Sequence, residues 1–294
     1  MKPAPFRYAR PQTLADAVGL LAGGDHDVKI LAGGQSLVPM LNLRLVRPSV
    51  LIDLNGVAGL DRIIPSPTGG LTIGALVRHA ALASSAPVSE RAPLLGEAAR
   101  HVGHPPIRHR GTVGGSLAHA DPAAELPAAL VALDAQLVLH GARGERTIPA
   151  SEFFRGLLTT ALAPDEIVTD IRVSPHGPGW GFAEVVRRAG DFALAGVMAL
   201  VTRSGPSGRC ESARLVGFGV SDRPVRLVAA EQIITNPAFD ARADVGRVAA
   251  AAAEACDPPD DVHASADYRR HLAVVLTEDV VRQALRRLDG ARRA

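Results

Sequence analysis

A glycine pair closely followed by a serine occurs twice in this chain. The first copy, Gly33-Gly34-Gln35-Ser36, ends a strand-like run, and the second, Gly114-Gly115-Ser116, lies in a segment rich in glycine, proline and arginine. Because glycine has no Cβ, consecutive backbone N–H groups can point into one concavity, which suits a phosphate. Taken alone, the first copy is more typical of a tight turn and the second of a loop with solvated arginines. Together they favour a ligand site in which two loops hold the two phosphates of a dinucleotide from opposite sides.

Neither copy fits the common phosphate-binding motifs. The Gly-Lys-Ser/Thr ending of a Walker loop is missing, and so is the Gly-x-Gly-x-x-Gly spacing of a Rossmann turn that enters a helix. The spacing of the glycines therefore does not name the ligand.

A third segment, residues 119–127, carries two carboxylates. Asp121 and Pro122 predict the start of a helix, with Glu125 in its first turns. These carboxylates could serve only as a cap and as compensation for the helix dipole, worth roughly 0.3–1 kcal/mol per charge. Alternatively, one of them accepts hydrogen bonds from ribose or ribityl hydroxyls. His119 has no serine or cysteine nucleophile in a recognisable arrangement, so a hydrolase is not indicated.

The composition excludes several classes of protein. The 294 residues carry 32 Lys+Arg against 30 Asp+Glu, a formal charge of +2, which lacks the basic excess of a nucleic-acid binder. Only Cys210 and Cys256 are present, so a four-cysteine zinc or iron–sulfur set cannot form within the chain. No apolar run approaches the roughly 20 residues of a membrane span, and no signal peptide is recognisable. We expect a cytoplasmic protein.

Hydrophobic periodicity and turn residues predict a chain of mixed α and β structure. Thr13 caps a first helix that ends at Gly23-Gly24, and Ser265 caps a long last helix that runs to about Leu288. Further helices are predicted for residues 89–102, from Asp121-Pro122 onward and for residues 241–255. Strands are predicted for residues 28–32, 50–54, 71–74, 135–140, 167–173, 182–188, 195–202 and 213–220. A turn cluster at residues 204–208 separates the last two strands.

The composition changes at residues 174–181, Ser-Pro-His-Gly-Pro-Gly-Trp-Gly. This change predicts a boundary between a domain of residues 1–175 and a domain of residues 180–290. The order of the elements indicates an α+β fold in two parts.

The flavin-binding medium subunit of molybdenum hydroxylases resembles this chain in four motifs. Its first FAD loop is similar to A-G-G-Q-S-L-V-P-M-L-N-L-R, followed by L-I-D-L-N, and its second FAD loop to G-H-P-P-I-R-H-R-G-T-V-G-G-S-L-A-H-A-D-P-A-A-E-L-P-A. The start of its C-terminal domain resembles V-R-R-A-G-D-F-A-L-A-G, and the last helix of that domain resembles H-A-S-A-D-Y-R-R-H-L. The family includes aerobic carbon monoxide dehydrogenase and xanthine dehydrogenase. The match runs in register from about Phe6 to Leu288.

The resemblance implies a vanillyl-alcohol-oxidase-type (PCMH-type) FAD-binding domain of two lobes, followed by a small C-terminal α+β domain with a three-stranded antiparallel sheet. Carried over residue by residue, it implies that the adenosine diphosphate part of FAD is lined by Lys29, Ile30, Leu31, Ala32, Gly33, Gly34, Gln35, Ser36 and Leu37. The pyrophosphate would be met from the other side by Gly111, Thr112, Val113, Gly114, Gly115 and Ser116.

Five further residues are implied to shape the cofactor site. Glu125 stands where the family usually has an aspartate facing the cofactor, and Val168 matches an apolar residue near the flavin or adenine. Phe192 matches an aromatic residue beside the isoalloxazine ring, and Arg188 and Asp191 belong to the same motif. Gln35 cannot form a covalent flavin bond, so we expect noncovalent FAD.

The resemblance also implies a division of labour. A large subunit with a molybdenum cofactor hydroxylates the substrate, a small subunit carries two [2Fe–2S] clusters, and the flavoprotein passes electrons from the clusters through FAD to an external acceptor. We expect this chain to be the electron-transfer subunit in a dimer of heterotrimers, without a catalytic acid or base and without a metal ligand of its own. Two alternatives remain open: a stand-alone FAD-dependent oxidase or reductase, and a scaffold that has lost FAD.

Overall fold

The computed structural model describes residues 1–23, 27–204 and 208–291. Its helices are α1 Leu14–Ala22, α2 Leu37–Asn42, α3 His79–Ser84, α4 Ala86–Arg91, α5 Pro93–His101, α6 Pro105–Arg110, α7 Val113–His119, α8 Glu125–Ala132, α9 Ala150–Phe153, α10 Val228–Thr235, α11 Val245–Glu254 and α12 Ala266–Gly290. Its strands are β1 Arg7–Ala9, β2 Val28–Leu31, β3 Val50–Asp53, β4 Ile63–Pro65, β5 Leu71–Gly74, β6 Gln136–Gly141, β7 Gly144–Pro149, β8 Phe154–Gly156, β9 Thr159–Thr160, β10 Ile167–Val173, β11 Trp180–Val186, β12 Ala193–Ser204, β13 Arg209–Phe218 and β14 Val225–Arg226.

A small parallel sheet, in the order β1-β3-β2, forms the first layer of the chain. Helix α1 packs on it through Ala17 and Val18. The Thr13 hydroxyl accepts a hydrogen bond from the Asp16 N–H, as the sequence predicts, and the helix ends at Gly23. Gly24, the other residue of the predicted stop, lies outside the described residues. A short 3₁₀ turn, Leu54–Gly56, follows β3 directly and places polar side chains at its carboxyl end.

An antiparallel sheet of five strands, in the order β4-β5-β10-β6-β7, supports the largest hydrophobic core. Helix α5 contributes the fully buried Leu94 and Leu95, and every residue of α8 is buried. Such a helix is apolar all round because protein surrounds it on all sides.

The third sheet has the order β11-β12-β13-β14, and helices α10, α11 and α12 cover it. The expectation of a three-stranded sheet is therefore wrong, because a fourth strand, Val225–Arg226, pairs with the third of the three long strands. Two residues are too few to produce an alternating pattern, so this strand could not be predicted from the sequence. Helix α12 begins after Ser265, whose hydroxyl accepts from the Tyr268 N–H, as predicted.

Two predicted helices differ from the observed ones. The helix predicted for residues 89–102 is split into α4 and α5, because Pro93 cannot continue a helix with its missing N–H. The helix predicted from Asp121-Pro122 begins only at Glu125. Asp121 instead caps a turn, since its carboxylate accepts from the Ala123 N–H at 2.9 Å. Residues 205–207 of the predicted turn cluster lie outside the described residues. Among the described helices, none combines the length and apolar composition that crossing a membrane requires.

Candidate functional site

The first glycine segment, residues 33–36, connects β2 to α2 through a left-handed turn, and the second glycine segment comprises residues 111–116. Gly34 has a φ of 75°, a conformation in which a side chain would be strained. Within the described chain, the backbone N–H groups of Gly33, Gly34, Gln35 and Ser36 donate to no acceptor. The Gln35 side chain turns back and donates to the Gly33 carbonyl at 3.2 Å. A run of free N–H groups around a residue of positive φ is the arrangement that binds anions.

The second glycine segment is held by backbone hydrogen bonds along residues 75–79. The His79 N–H donates to the Gly111 carbonyl and the Val113 N–H to the Val77 carbonyl, both at 3.0 Å. It was expected to be a loop, but helix α7 begins within it, and the Thr112 hydroxyl caps that helix by accepting from the Gly115 N–H at 3.2 Å. The segment is therefore rigidly fixed to the end of β5.

The glycines of this segment are required by neighbouring protein atoms. A Cβ on Gly114 would lie 2.5 Å from the Cβ of Ala75, and a Cβ on Gly111 would lie 2.7 Å from Nδ1 of His79. The sequence interpretation expected the cofactor to lie against these glycines. In the structure the side chains of Ala75 and His79 instead lie against Gly114 and Gly111.

The two glycine segments touch each other. A Cβ on Gly33 would lie 2.4 Å from the carbonyl oxygen of Arg110 and 2.8 Å from the Cα of Gly111. Gly115 faces Ala32, whose Cβ would be 3.6 Å from an added Cβ. Segments separated by some 80 residues in the printed sequence thus meet backbone to backbone, as the paired-loop interpretation predicts. The free N–H groups and this close approach fit the diphosphate of a dinucleotide cofactor.

His79 lies directly beside the second glycine segment and was not singled out from the sequence. Its side chain is 5% exposed, and within the described chain neither ring nitrogen has a hydrogen-bond partner. Burial, together with the positive charges of Arg108 and Arg78, lowers the pKa of His79 to about 4, although the backbone of Thr112 opposes this shift. His79 is therefore neutral at pH 7. His79 follows Arg78 in the sequence, and this pair lies in none of the four motifs that resemble the family.

Glu125 is the first residue of α8 and is 6% exposed. Burial raises the pKa of its carboxyl to about 8, and the nearby charges of Glu184 and Asp121 raise it, whereas His101 lowers it. Glu125 is thus mostly protonated at pH 7. A protonated carboxyl can donate a hydrogen bond as well as accept one.

His101 and Glu184 lie beside Glu125 and escaped the sequence interpretation. His101 Nδ1 is 2.9 Å from Glu184 Oε1, and the imidazole ring packs on Phe182 with 4.4 Å between ring centroids. The second oxygen of Glu184 is buried without a partner in the described chain. These residues come from α5 and β11, and only the tertiary fold brings them together.

The Arg188, Asp191 and Phe192 side chains are exposed on the turn between β11 and β12, and Phe192 is 65% exposed. Gly190 in this turn has a φ of 86° and packs against His104, because a Cβ would lie 2.4 Å from the His104 ring. The turn is therefore adjacent to the segment that leads into α6 and the second glycine segment.

The remaining candidates differ in exposure. Val168 lies in β10, 5% exposed, in the core beneath the five-stranded sheet. Its neighbour Thr169 accepts a hydrogen bond from the N–H of Ala75, the residue that packs on Gly114. Lys29 is exposed, whereas Ile30, Leu31, Ala32, Ser36 and Leu37 are half-buried. No group of three or more His, Cys, Asp or Glu side chains in the described chain is placed to hold a metal ion.

Comparison with known proteins gives the same class of protein as the site. Residues 4–176 match the protein family described as "FAD binding domain in molybdopterin dehydrogenase". Residues 180–284 match the family described as "CO dehydrogenase flavoprotein C-terminal domain". The 6-hydroxypseudooxynicotine dehydrogenase complex subunit alpha of Paenarthrobacter nicotinovorans is 43% identical over 98% of this chain and 97% of its own length. The nicotine 6-hydroxylase medium subunit of the same organism is 38% identical over 97% of this chain and 99% of its own length.

A solved structure extends the similarity to the fold. A chain of carbon monoxide dehydrogenase from Hydrogenophaga pseudoflava, in a form that lacks the Mo-pyranopterin moiety of the molybdenum cofactor, superposes with a TM-score of 0.93 and 37% identity. The match covers 98% of this chain and 99% of that chain.

Fold, site and comparisons together define an oxidoreductase subunit with an FAD-binding domain. The chain belongs to the family of FAD-binding medium subunits of molybdenum hydroxylases, the carbon monoxide dehydrogenase and xanthine dehydrogenase type. The resemblance inferred from its motifs is confirmed.

Proposed function

We propose that this chain is the electron-transfer subunit of a cytoplasmic molybdenum hydroxylase and that it binds FAD noncovalently between its two glycine segments. The observation that carries the proposal is the contact of Gly33 with Arg110 and Gly111, next to four backbone N–H groups that lack an acceptor in the described chain. Free N–H groups around a residue of positive φ suit the negative charge of a diphosphate.

Each side of the site contributes a different interaction. The N–H groups of residues 33–36 would donate to the diphosphate, and the second glycine segment would close it from the opposite side. Glu125 would contact the ribityl or flavin part. It does so as a neutral acid at pH 7, because burial keeps it protonated. Phe192 would cover the isoalloxazine edge, with Arg188 and Asp191 beside it.

Bound FAD supplies a two-electron carrier that can also accept or give single electrons. The protein's own part is to bind and orient this carrier. No side chain needs to act as a general acid or base on a substrate. Gln35 has no nucleophilic atom for a covalent flavin link, which supports a dissociable cofactor.

Electrons reach such a subunit from outside. We propose the partners to be a large subunit with a molybdenum cofactor and a small subunit with two [2Fe–2S] clusters, in a dimer of heterotrimers. The two relatives from Paenarthrobacter are named as subunits of larger complexes, which supports this arrangement. We also retain the division into residues 1–175 and 180–290.

Native co-purification tests the proposal. The chain, tagged and expressed with its genomic neighbours, should bring down two further polypeptides together with molybdenum, iron and one FAD per chain. Acid precipitation of the isolated chain should release the flavin into the supernatant. A chain that binds FAD, stays alone and turns over an organic substrate by itself would instead be a stand-alone oxidase, and a chain that cannot take up FAD would be a scaffold.

A further inference from the structure

Asn55 forms a hydrogen-bonded link to the first glycine segment. It lies in the 3₁₀ turn after β3, and its Nδ2 donates to the carbonyl oxygen of Ala32 at 2.9 Å. Ala32 immediately precedes Gly33. In a trans peptide the C=O and the next N–H point in opposite directions, so this bond also fixes the direction of the free Gly33 N–H.

Arg78 continues the link to the second glycine segment. Its Nη2 donates to Asn55 Oδ1 at 2.5 Å, and its Nη1 donates to the carbonyl oxygen of Arg110. Arg110 immediately precedes Gly111, as Ala32 precedes Gly33. The backbone of Arg78 is also bridged to Thr112. One pair of side chains therefore joins the carbonyl groups at the start of both segments.

The orientation of Asn55 is fixed from its other side. Asp53 Oδ1 accepts from the backbone N–H of Asn55 at 2.9 Å and from its Nδ2 at 2.5 Å, and Asp53 Oδ2 accepts from the Tyr8 hydroxyl. Burial alone would raise the pKa of Asp53, but the hydrogen bonds from Tyr8 and Asn55 bring it below its usual value. An ionised Asp53 can only accept, so the Asn55 amide must present its oxygen to Arg78.

We propose that Asn55 and Arg78 are positioning residues that hold the two glycine segments at a fixed separation, so that the diphosphate site is formed before FAD binds. This inference rests on the proposed function. Without the pair, the Ala32 and Arg110 carbonyl oxygens would each lose a side-chain donor, and each segment could rotate its peptide away. A site that must first be ordered binds its ligand more weakly, because part of the binding free energy is spent on that ordering.

FAD titration of the apo form of the full chain tests the proposal. The variants are Asn55→Ala, Arg78→Ala and the double variant, read by quenching of flavin fluorescence. Hydrogen bonds to a charged group typically contribute enough for about a tenfold to hundredfold change in Kd, and we expect such an increase for each single variant. Because the two residues act as one unit, the double variant should bind about as weakly as the weaker single variant.

Two matched controls separate this effect from general damage. Arg62 is exposed and donates to the Gly59 carbonyl at 3.2 Å, away from the glycine segments, and Asn236 caps a turn through a bond to the Ala238 N–H at 2.9 Å. Arg62→Ala and Asn236→Ala should leave the FAD Kd unchanged. Arg78→Lys keeps the charge but replaces the two guanidinium donors with a single ammonium, so it should give an intermediate Kd, and it serves if the alanine variant does not fold.

Hydrogen exchange on the apo chain gives a readout that does not depend on FAD. Peptides covering residues 29–42 and 108–118 should both exchange faster in Asn55→Ala, while a peptide from β12 should not change. Unchanged exchange in both segments, Kd values within twofold of the wild type, or additive effects in the double variant would each overturn the proposal. Failure of the wild-type chain to take up FAD would refute the proposed function, whereas the exchange experiment would still decide whether the pair orders the segments.

Discussion

His101 Nδ1 lies 2.9 Å from Glu184 Oε1, and this contact joins helix α5 to strand β11. The hydrogen bond that the His101 ring donates to Glu184 raises the pKa of His101 above its ordinary value. A group whose pKa is raised by folding stabilises the folded state fully below its unfolded pKa, and this contribution disappears as the pH rises through the folded pKa.

We therefore expect the stability difference between the wild type and Glu184→Gln to be largest below about pH 6.5 and to shrink at higher pH. The His101 side chain is 37% exposed, so solvent screens the pair, and we expect less than about 1 kcal/mol. Urea unfolding of the apo chain from pH 6 to pH 9 measures the difference, and NMR titration of His101 gives its pKa directly. A difference that grows with pH would contradict this assignment.

Glu125 should destabilise the folded state as the pH rises above the ordinary pKa of a glutamate. Its folded pKa of about 8 lies above the ordinary 4.5. Below pH 4.5 the acid is protonated in both states and has no effect, whereas above that value the unfolded state gains stability as it loses the proton. Glu125→Gln, which stays neutral, should match the wild type at pH 4.5 and exceed it at pH 8.5 by up to roughly 4 kcal/mol. The exposed Glu152→Gln variant is the control and should show no such trend.

Gly114 should be required for folding as well as for the site. A Cβ at this position would lie 2.5 Å from the Cβ of Ala75, which is 3% exposed and cannot move away easily. We expect Gly114→Ala to destabilise the apo chain by roughly 1–3 kcal/mol. Gly19 in α1 has open space around it, so Gly19→Ala should instead stabilise by about 0.5–1 kcal/mol. Thermal unfolding of both apo variants tests the contrast, and equal melting temperatures would refute it.

The sequence could predict the meeting of the glycine segments but not the use of each glycine. Two glycine pairs, each closely followed by a serine, indicate two phosphate-binding turns, because a missing Cβ permits close approach. Whether that approach is to a ligand or to the protein depends on neighbours such as Ala75 and His79, which come from another strand end. Gly33 faces Arg110 and Gly111, whereas Gly114 faces Ala75, although both glycines belong to similar motifs.

The roles of the residues that support the site could not be predicted from the sequence, for a related reason. Asn55 is the last residue of the L-I-D-L-N motif, but the motif assigned no role to its side chain, and Arg78 lies in none of the four motifs. Glu184 alternates with apolar residues in β11 and reads as an ordinary strand residue. Their roles follow only from long-range contacts, since local periodicity carries no information about partners 20 to 80 residues away. Long elements such as α12, with a serine cap and a helical period, were predicted correctly.

The positive φ of Gly34 should be required for FAD affinity, because it directs the free N–H groups of the first glycine segment. With φ at 75°, an ordinary side chain costs about 1–2 kcal/mol, whereas asparagine tolerates this conformation better. Gly34→Val should therefore lose FAD affinity by at least tenfold, and Gly34→Asn should lose much less. An added Cβ would lie 3.1 Å from side-chain methyl groups of Leu31 and Val38 and close to no backbone atom, so both variants should fold. Equal affinity in the two variants would show that φ at Gly34 does not set the site.

The exposed turn that carries Asp191 and Phe192 should contact the partner that delivers electrons. Phe192 is 65% exposed, which is unusual for a large aromatic side chain, and its turn packs beside the second glycine segment through Gly190 and His104. Since neither side chain supports the core, Phe192→Ala and Asp191→Arg should change the stability of the apo chain by less than about 0.5 kcal/mol. Both variants should keep FAD but bind the [2Fe–2S] subunit more weakly in pull-down experiments.

Val262, 92% exposed, supplies the control, and Val262→Ala should assemble normally. Normal assembly and an unchanged rate of flavin reduction in Asp191→Arg, followed by rapid mixing, would place the partner contact elsewhere.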